Sequence, residues 1–132
     1  MVLGIDYGRK RIGLAVSDET ETIAVAINPI FVKDRNKVTL ALLEIIKVNR
    51  VNKILVGLPL GIGEKPTKMS NEIKGFTKVL KENARINIEF WNETSTSEIA
   101  KNNIITTRGI DSQSARIILQ EYLDFNKLKN QH

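Results

Sequence analysis

The sequence predicts an α/β protein: a mixed five-stranded sheet with three antiparallel N-terminal strands, then βαβ crossovers, and helices on both faces. Three observations predict it. The opening third alternates apolar and polar residues around turn-forming ones. The middle third changes to helical spacing. Residues 53–59, KILVGLP, form a short unbroken apolar run, the mark of a strand covered on both faces.

Residues 2–7 and 11–17 read as two strands, with Leu3, Ile5 and Tyr7, then Ile12, Leu14 and Val16, alternating about a turn at Gly8-Arg9-Lys10. Residues 22–32 read as a third, and Pro29 within it implies a bulge or an edge position. Val38, Leu42, Ile45 and Ile46 set a helix over 36–48, and Met69, Ile73, Phe76 and Leu80 set another over 67–82. Between them lies the buried strand 53–59. RINIEFW, 85–91, alternates as a last strand with Ile86, Ile88 and Phe90 on one side. Ser95 and Glu98 have the spacing of a capping box that opens a short helix. A final helix over 111–125 turns Ala115, Ile118, Leu119 and Tyr122 inward. No repeat, low-complexity block or long linker interrupts the chain. It therefore reads as one domain over 1–126, with a frayed polar tail at 127–132.

Composition narrows the chemistry. Of 132 residues, none is cysteine, which excludes thiolate metal sites, and one is histidine, the last residue His132, which is not expected to ligate in an ordered site. A metal here must be held by oxygen, which favours Mg²⁺, with Mn²⁺ as the other candidate. Twenty Lys and Arg against 15 Asp and Glu give a net charge of +5, which suits a polyanionic partner. No apolar run approaches the roughly 20 residues that cross a bilayer, and MVLGIDYG lacks the basic leader of a secretory signal. A cytoplasmic protein with no membrane partner is the expectation.

Two of three candidate carboxylates stand where sites form in such sheets, at the carboxyl ends of strands, and the third opens the last helix. Asp6 ends the first strand on the face shared by Val2 and Gly4; it either caps the following turn or faces a cation. Glu93 directly follows the strand RINIEFW and is either a solvated loop acid or a ligand. Asp111 opens the last helix, as an N-cap, a ligand, or both, because it stands at i relative to Ala115 (i+4) and Ile118 (i+7) on the inward stripe. If the first, fourth and fifth strands are neighbours and the last helix packs across them, the three acids converge. Their mutual repulsion then calls for a divalent ion.

Four segments resemble the YqgF-type family: GIDYGRKRIGLAVSD at residues 4–18, ILVGLPLGIGEK at 54–65, WNETSTSEIA at 91–100 and IDSQSARIILQEYL at 110–123. They occur in the family's order and spacing and span essentially the whole chain. The resemblance implies a ribonuclease H-like fold, and Asp6, Glu93 and Asp111 as catalytic, metal-binding acids. Family members are described as Holliday junction resolvases and as nucleases that mature the 5′ end of 16S ribosomal RNA. The implied activity is therefore metal-dependent phosphodiester hydrolysis in structured nucleic acid, with precursor ribosomal RNA the favoured substrate and branched DNA the alternative. Two positions depart from the family: Thr94 stands where arginine is usual, and Asn92 where aspartate is common. Arg108, shortly before Asp111, is the candidate to replace that arginine.

The cations take their place around these acids. Arg9, Lys10 and Arg11 on the hairpin either contact phosphate or form a solvated turn. LPLGIGEKPTK, 58–68, lacks the Gly-Lys-Ser/Thr ending of a P-loop; it is either a flap offering Lys65 and Lys68 to a bound strand or a plain surface connection. Trp91 either packs or stacks on a base. Two rival readings remain: one lobe of an actin-like or sugar-kinase ATPase, for which 132 residues supply half of what is needed, and a non-catalytic RNA-binding or ribosome-assembly module. A monomer suffices to trim an RNA end and is favoured, whereas symmetric cutting of a junction calls for a homodimer.

Overall fold

The computed structural model describes residues 1–58, 67–92 and 113–130. Five strands form one sheet in the order β3-β2-β1-β4-β5: β1 (Val2–Asp6), β2 (Arg11–Ser17), β3 (Ala24–Phe31), β4 (Lys53–Leu58) and β5 (Asn87–Asn92). β1 pairs antiparallel with β2, and β2 with β3, while β1, β4 and β5 run parallel. Helices α1 (Arg35–Val48), α2 (Lys68–Ala84) and α3 (Gln113–Asn130) complete the described elements. The expected capping box at Ser95 and Glu98 lies outside the described residues.

Alternation along the strands sorts side chains into two cores. Leu3, Ile5, Ile12, Leu14, Ile54 and Val56 pack with Val38, Leu42 and Ile46 of α1 and Ile73 and Leu80 of α2. On the other face Val2, Ala15 and Leu55 meet Ala115, Ile118, Leu119 and Tyr122 of α3. Ile54, Leu55 and Val56 are wholly buried, as their unbroken apolar run predicts for a central strand. The final helix lies over β1, β2 and β3 more than over β4 and β5: Gln120 of α3 accepts a hydrogen bond from Ala24 N (2.9 Å) and donates to Thr22 O (2.9 Å). This differs from the expected crossing of β1, β4 and β5.

Gly4 sets the distance between α3 and the sheet. A Cβ there meets Leu119 Cβ at 3.0 Å and Ala115 O at 3.3 Å, so the helix rests on bare backbone. At the start of the same strand, the buried Ser17 Oγ accepts from Val2 N at 2.8 Å and satisfies a donor that the ladder leaves over.

Local chemistry explains the boundaries. β3 is an edge strand, and its register with β2 shifts between Ile12 and Leu14, which face Ile30 and Ile27; Asn28 and Pro29 there stand against the single residue Gly13. The β2–β3 turn is organised by Asp18, whose carboxylate accepts from Thr22 N (2.8 Å), Ile23 N (3.1 Å) and Thr20 Oγ1 (2.8 Å). These bonds, the one from Thr22 N foremost, hold its carboxyl below the ordinary range. α2 begins with a capping box of Thr67 and Ser70, and ends where Arg85 turns left-handed (φ 54°) and donates its N–H to Lys81 O. That cap delays β5 to Asn87, two residues later than alternation suggests. α3 continues to Asn130, so residues 127–130, expected to fray, are helical; Lys127 and Lys129 in its last turn complement the helix dipole.

Between β4, β5 and α3, Lys53 Nζ lies 2.7 Å from Glu89 Oε2 and donates to Tyr122 OH, which donates to Glu89 at 3.2 Å. The hydrogen bond from Lys53 holds the Glu89 carboxyl below its ordinary value, against the opposing effect of burial. Burial pulls Lys53 down, but the bonds to Glu89 and Tyr122 outweigh it and leave its pKa raised. Because the Glu89 pKa is lowered by folding, its contribution is complete above the unfolded value and is lost as pH falls through the folded one.

Two outcomes are expected. Gly4→Ala lowers the unfolding free energy by about 1–3 kcal/mol through overpacking against Leu119, read from urea denaturation. Glu89→Gln flattens the acid limb of stability, so melting temperatures measured between about pH 3 and pH 7 fall less on acidification than in the wild type. Equal acid sensitivity of the two proteins refutes that role for Glu89.

Candidate nucleic-acid site at the strand ends

Asp6 is the last residue of β1 and pairs with Gly13 of β2. Alternation puts it on the α3 face with Val2 and Gly4, and its residue is half-buried. It lines an open cavity of about 470 Å³ together with Tyr7, Gly8, Arg9, Lys10, Arg11, Gly13, Met69 and Ser114. Met69 belongs to the first turn of α2 and Ser114 to the first turn of α3, so the positive ends of two helix dipoles border the same space. Among the described residues, one carboxylate and three cations thus line the cavity.

Gly8 makes the hairpin possible. A Cβ at this position lies 2.4 Å from the Arg11 carbonyl oxygen, a distance no side chain tolerates. The turn that follows brings Lys10 O to accept from Val32 N at 2.8 Å, which fastens the hairpin to the residue after β3.

Arg9 combines features of neither sequence expectation. Its Nε and Nη2 lie 3.1 Å from Glu72 Oε2 on α2, and Tyr7 OH donates to Glu72 Oε1 at 3.0 Å. The Tyr7 ring also packs on Phe76, with centroids 5.0 Å apart. Glu72 thus joins the hairpin to α2, a role the sequence did not single out; its place beside Ile73 on the margin of the apolar stripe was the available signal. Lys10, Arg11 and Lys68 are exposed, and Lys68 opens α2. Trp91 packs: its ring meets Tyr122 and Phe125 edge-on at 5.5 and 5.7 Å, and its Nε1 donates to Glu121 at 3.4 Å.

Glu93, Asp111, Lys65, Arg108 and Thr94 lie outside the described residues. Among the described residues no group of three acids, histidines or cysteines gathers. What the described chain brings together is Asp6, the basic hairpin, the carboxyl ends of the parallel strands and the start of α3. The Asp6 carboxylate and Ser114 hydroxyl are oxygen donors in the cavity's described lining, and they fit a hard divalent cation. Among the described residues no helix is long and apolar enough to cross a membrane.

Comparisons with known proteins agree with this architecture. A curated relative from Caldanaerobacter subterraneus subsp. tengcongensis, named "Putative pre-16S rRNA nuclease", is 38% identical over 96% of this chain and 97% of its own. One of the same name from Clostridioides difficile is 33% identical over 94% of each chain. Among solved structures, T. thermophilus RuvC in complex with a Holliday junction substrate superposes with a TM-score of 0.63 at 16% identity, over 96% of this chain and 95% of that one. The fowlpox virus resolvase with Holliday junction DNA gives 0.51 at 10% identity, over 98% and 97%. At such identities these two show the fold, which is ribonuclease H-like. The RuvX model, described as Holliday junction resolvase, matches residues 1–125, and the chain belongs to that family.

Proposed function

We propose that the protein is a metal-dependent nuclease that hydrolyses phosphodiester bonds in structured nucleic acid, most readily in 5′-end maturation of precursor 16S ribosomal RNA. The observation that carries this reading is Asp6: a half-buried carboxylate at a strand's carboxyl end, set in a cavity that Arg9, Lys10 and Arg11 also line. Glu93 follows directly on Asn92 of β5, which is parallel to β4 and β1. Glu89 bonds Tyr122 of α3 and Trp91 packs on it, so the odd positions of β5 face α3, as Asp6 does; Glu93 is the next odd position. Asp111 precedes Gln113, the first residue of α3, by two positions, and Ser114 of that first turn lines the Asp6 cavity. These neighbours support convergence of Asp6, Glu93 and Asp111.

In this reading those three acids hold Mg²⁺ or Mn²⁺. Such an ion, when bound, supplies Lewis-acid stabilisation of phosphoryl charge and a water of lowered pKa. The chain's own part is to fix the acids on strand ends and on a helix start, and to position the nucleic-acid backbone with Lys10, Arg11, Lys65, Lys68 and Arg108. Arg9 joins them on exchanging Glu72 for a phosphate. Contacts of this kind set register without reading bases. The names of the curated relatives favour precursor ribosomal RNA, and hence work in the cytoplasm as a monomer. Cutting a four-way DNA junction is the second reading, favoured by the family description; it requires a homodimer to place two sites symmetrically.

The test incubates the purified protein with precursor 16S ribosomal RNA and, separately, with a four-way DNA junction, in Mg²⁺, Mn²⁺ or EDTA. Cleavage is expected with either metal and not with EDTA. Asp6→Asn is expected to lower its rate ~100-fold or more, since several kcal/mol of charge stabilisation are lost. The substrate that is cut decides between the two biological readings. Binding of RNA with no cleavage under any metal, unchanged by Asp6→Asn, refutes the nuclease and leaves a ribosome-assembly module.

A further inference from the structure

The described structure carries a second basic surface that the strand-end site does not use. Lys74, Lys78 and Lys81 project from α2 at i, i+4 and i+7, and with Thr77, Ile88 and Phe90 they line a cleft of about 260 Å³ between α2 and β5. All three lysines are exposed, and among the described residues no carboxylate lines the cleft. Glu72, the acid of α2 nearer its start, is engaged on the other side of the helix with Tyr7 and Arg9. Glu89 of β5 is engaged on the opposite face of the sheet with Lys53 and Tyr122. Glu82, exposed and one turn beyond Lys78, is the acid of α2 nearest this row, and it leaves the described lining of the cleft with a net positive charge.

The floor of the cleft is equally particular. Phe90 is 38% exposed at its lip, although its register partner Val56 is wholly buried. An aromatic ring open to solvent beside a row of lysines is the combination by which single-stranded nucleic acid is held: cations follow the backbone while a base stacks on the ring. At 1.5 Å per residue the lysine row is about 10 Å long, which matches about three nucleotides of a stacked strand.

The cleft also has the right position. Through Val56, Phe90 is level with Ile5, the residue before Asp6, and lies two strands away, about 10 Å across the sheet, on the α2 face, whereas Asp6 is on the α3 face. A strand that reaches both the Asp6 cavity and this cleft turns round the carboxyl edge of the sheet from the α3 face to the α2 face. We propose that the cleft between α2 and β5 binds a single-stranded segment that flanks the cleaved bond. The cleft gives the enzyme a preference for substrates with an unpaired arm, the chemistry of an immature RNA end. This rests on the nuclease reading, and its test separates the two.

The experiment measures fluorescence anisotropy of a labelled 12-nucleotide single strand and of a blunt duplex of equal length. Both are titrated with full-length protein carrying Asp6→Asn, so that no cleavage intervenes. Adding Lys74→Gln, Lys78→Gln and Lys81→Gln together is expected to weaken single-strand binding at least about tenfold and to reduce its salt slope by about two. Phe90→Ala is expected to weaken it about fivefold or more, and Phe90→Trp to restore it. The triple Lys→Arg variant is expected to bind like its parent, and circular dichroism checks that each variant is folded. Unchanged single-strand affinity in the folded triple variant overturns the proposal, as does a loss confined to the duplex. Self-association of that variant with unchanged affinity overturns it too, and shows that the lysines merely guard a sheet edge. If the wild type cleaves nothing yet these variants lose binding, the nuclease reading fails and the cleft stands. If wild type and variants cleave a tailed RNA equally, the cleft fails and the nuclease reading stands.

Discussion

Much of this molecule depends on the absence of a side chain at one position. Helix α3 lies over β1 because Gly4 presents only backbone to Leu119 and Ala115. That contact fixes how closely the helix approaches the sheet, and therefore where its first turn ends up. Ser114 reaches the cavity that Asp6 lines because the helix has already been seated two residues earlier along the same strand. Packing and chemistry are thus joined on one face: Val2 anchors the strand in the core, Gly4 receives the helix and Asp6 opens to the cavity.

The opposite face performs a different service. Leu3 and Ile5 lock β1 onto the α1 and α2 core, so the strand that carries Asp6 is held by apolar contacts on one side and by the helix on the other. Rigid elements, more than loops, set the described part of the site, and a site on strand ends keeps its geometry better than one on mobile segments. The hairpin is tied down as well. Glu72 accepts from both Tyr7 and Arg9, and a phosphate that engages Arg9 replaces one anion with another, gaining only the difference between them.

The fold was largely legible because its signals are periodic and local. Alternation in β1 and β2, helical spacing in α1 and α2, and the unbroken run in β4 each act through burial of one face or two, and burial dominates folding. Pro29 announced both the edge and the irregularity of β3, since a residue without an N–H cannot serve a central ladder. Boundaries were less legible. The left-handed Arg85 cap and the continuation of α3 to Asn130 follow from tertiary setting and terminal charge, which short-range pattern does not carry. The expectation that α3 crosses β1, β4 and β5 missed the pull of Gln120 toward β3, a long-range hydrogen-bond pair. In the site, Asp6 was legible because a carboxylate amid apolar strand residues is conspicuous. The partnership of Arg9 with Glu72 spans 63 positions and left no local trace.

The irregular pairing of β3 has one more consequence. This strand borders the sheet and carries Val25 and Phe31, both more than half exposed, which is the composition that invites another chain to dock alongside and continue the ladder. The misregister around Asn28 and Pro29 removes a donor and breaks the even spacing of the remaining ones. An incoming strand finds no long straight template there, and the irregularity works against extension of the ladder along a rim that carries greasy side chains.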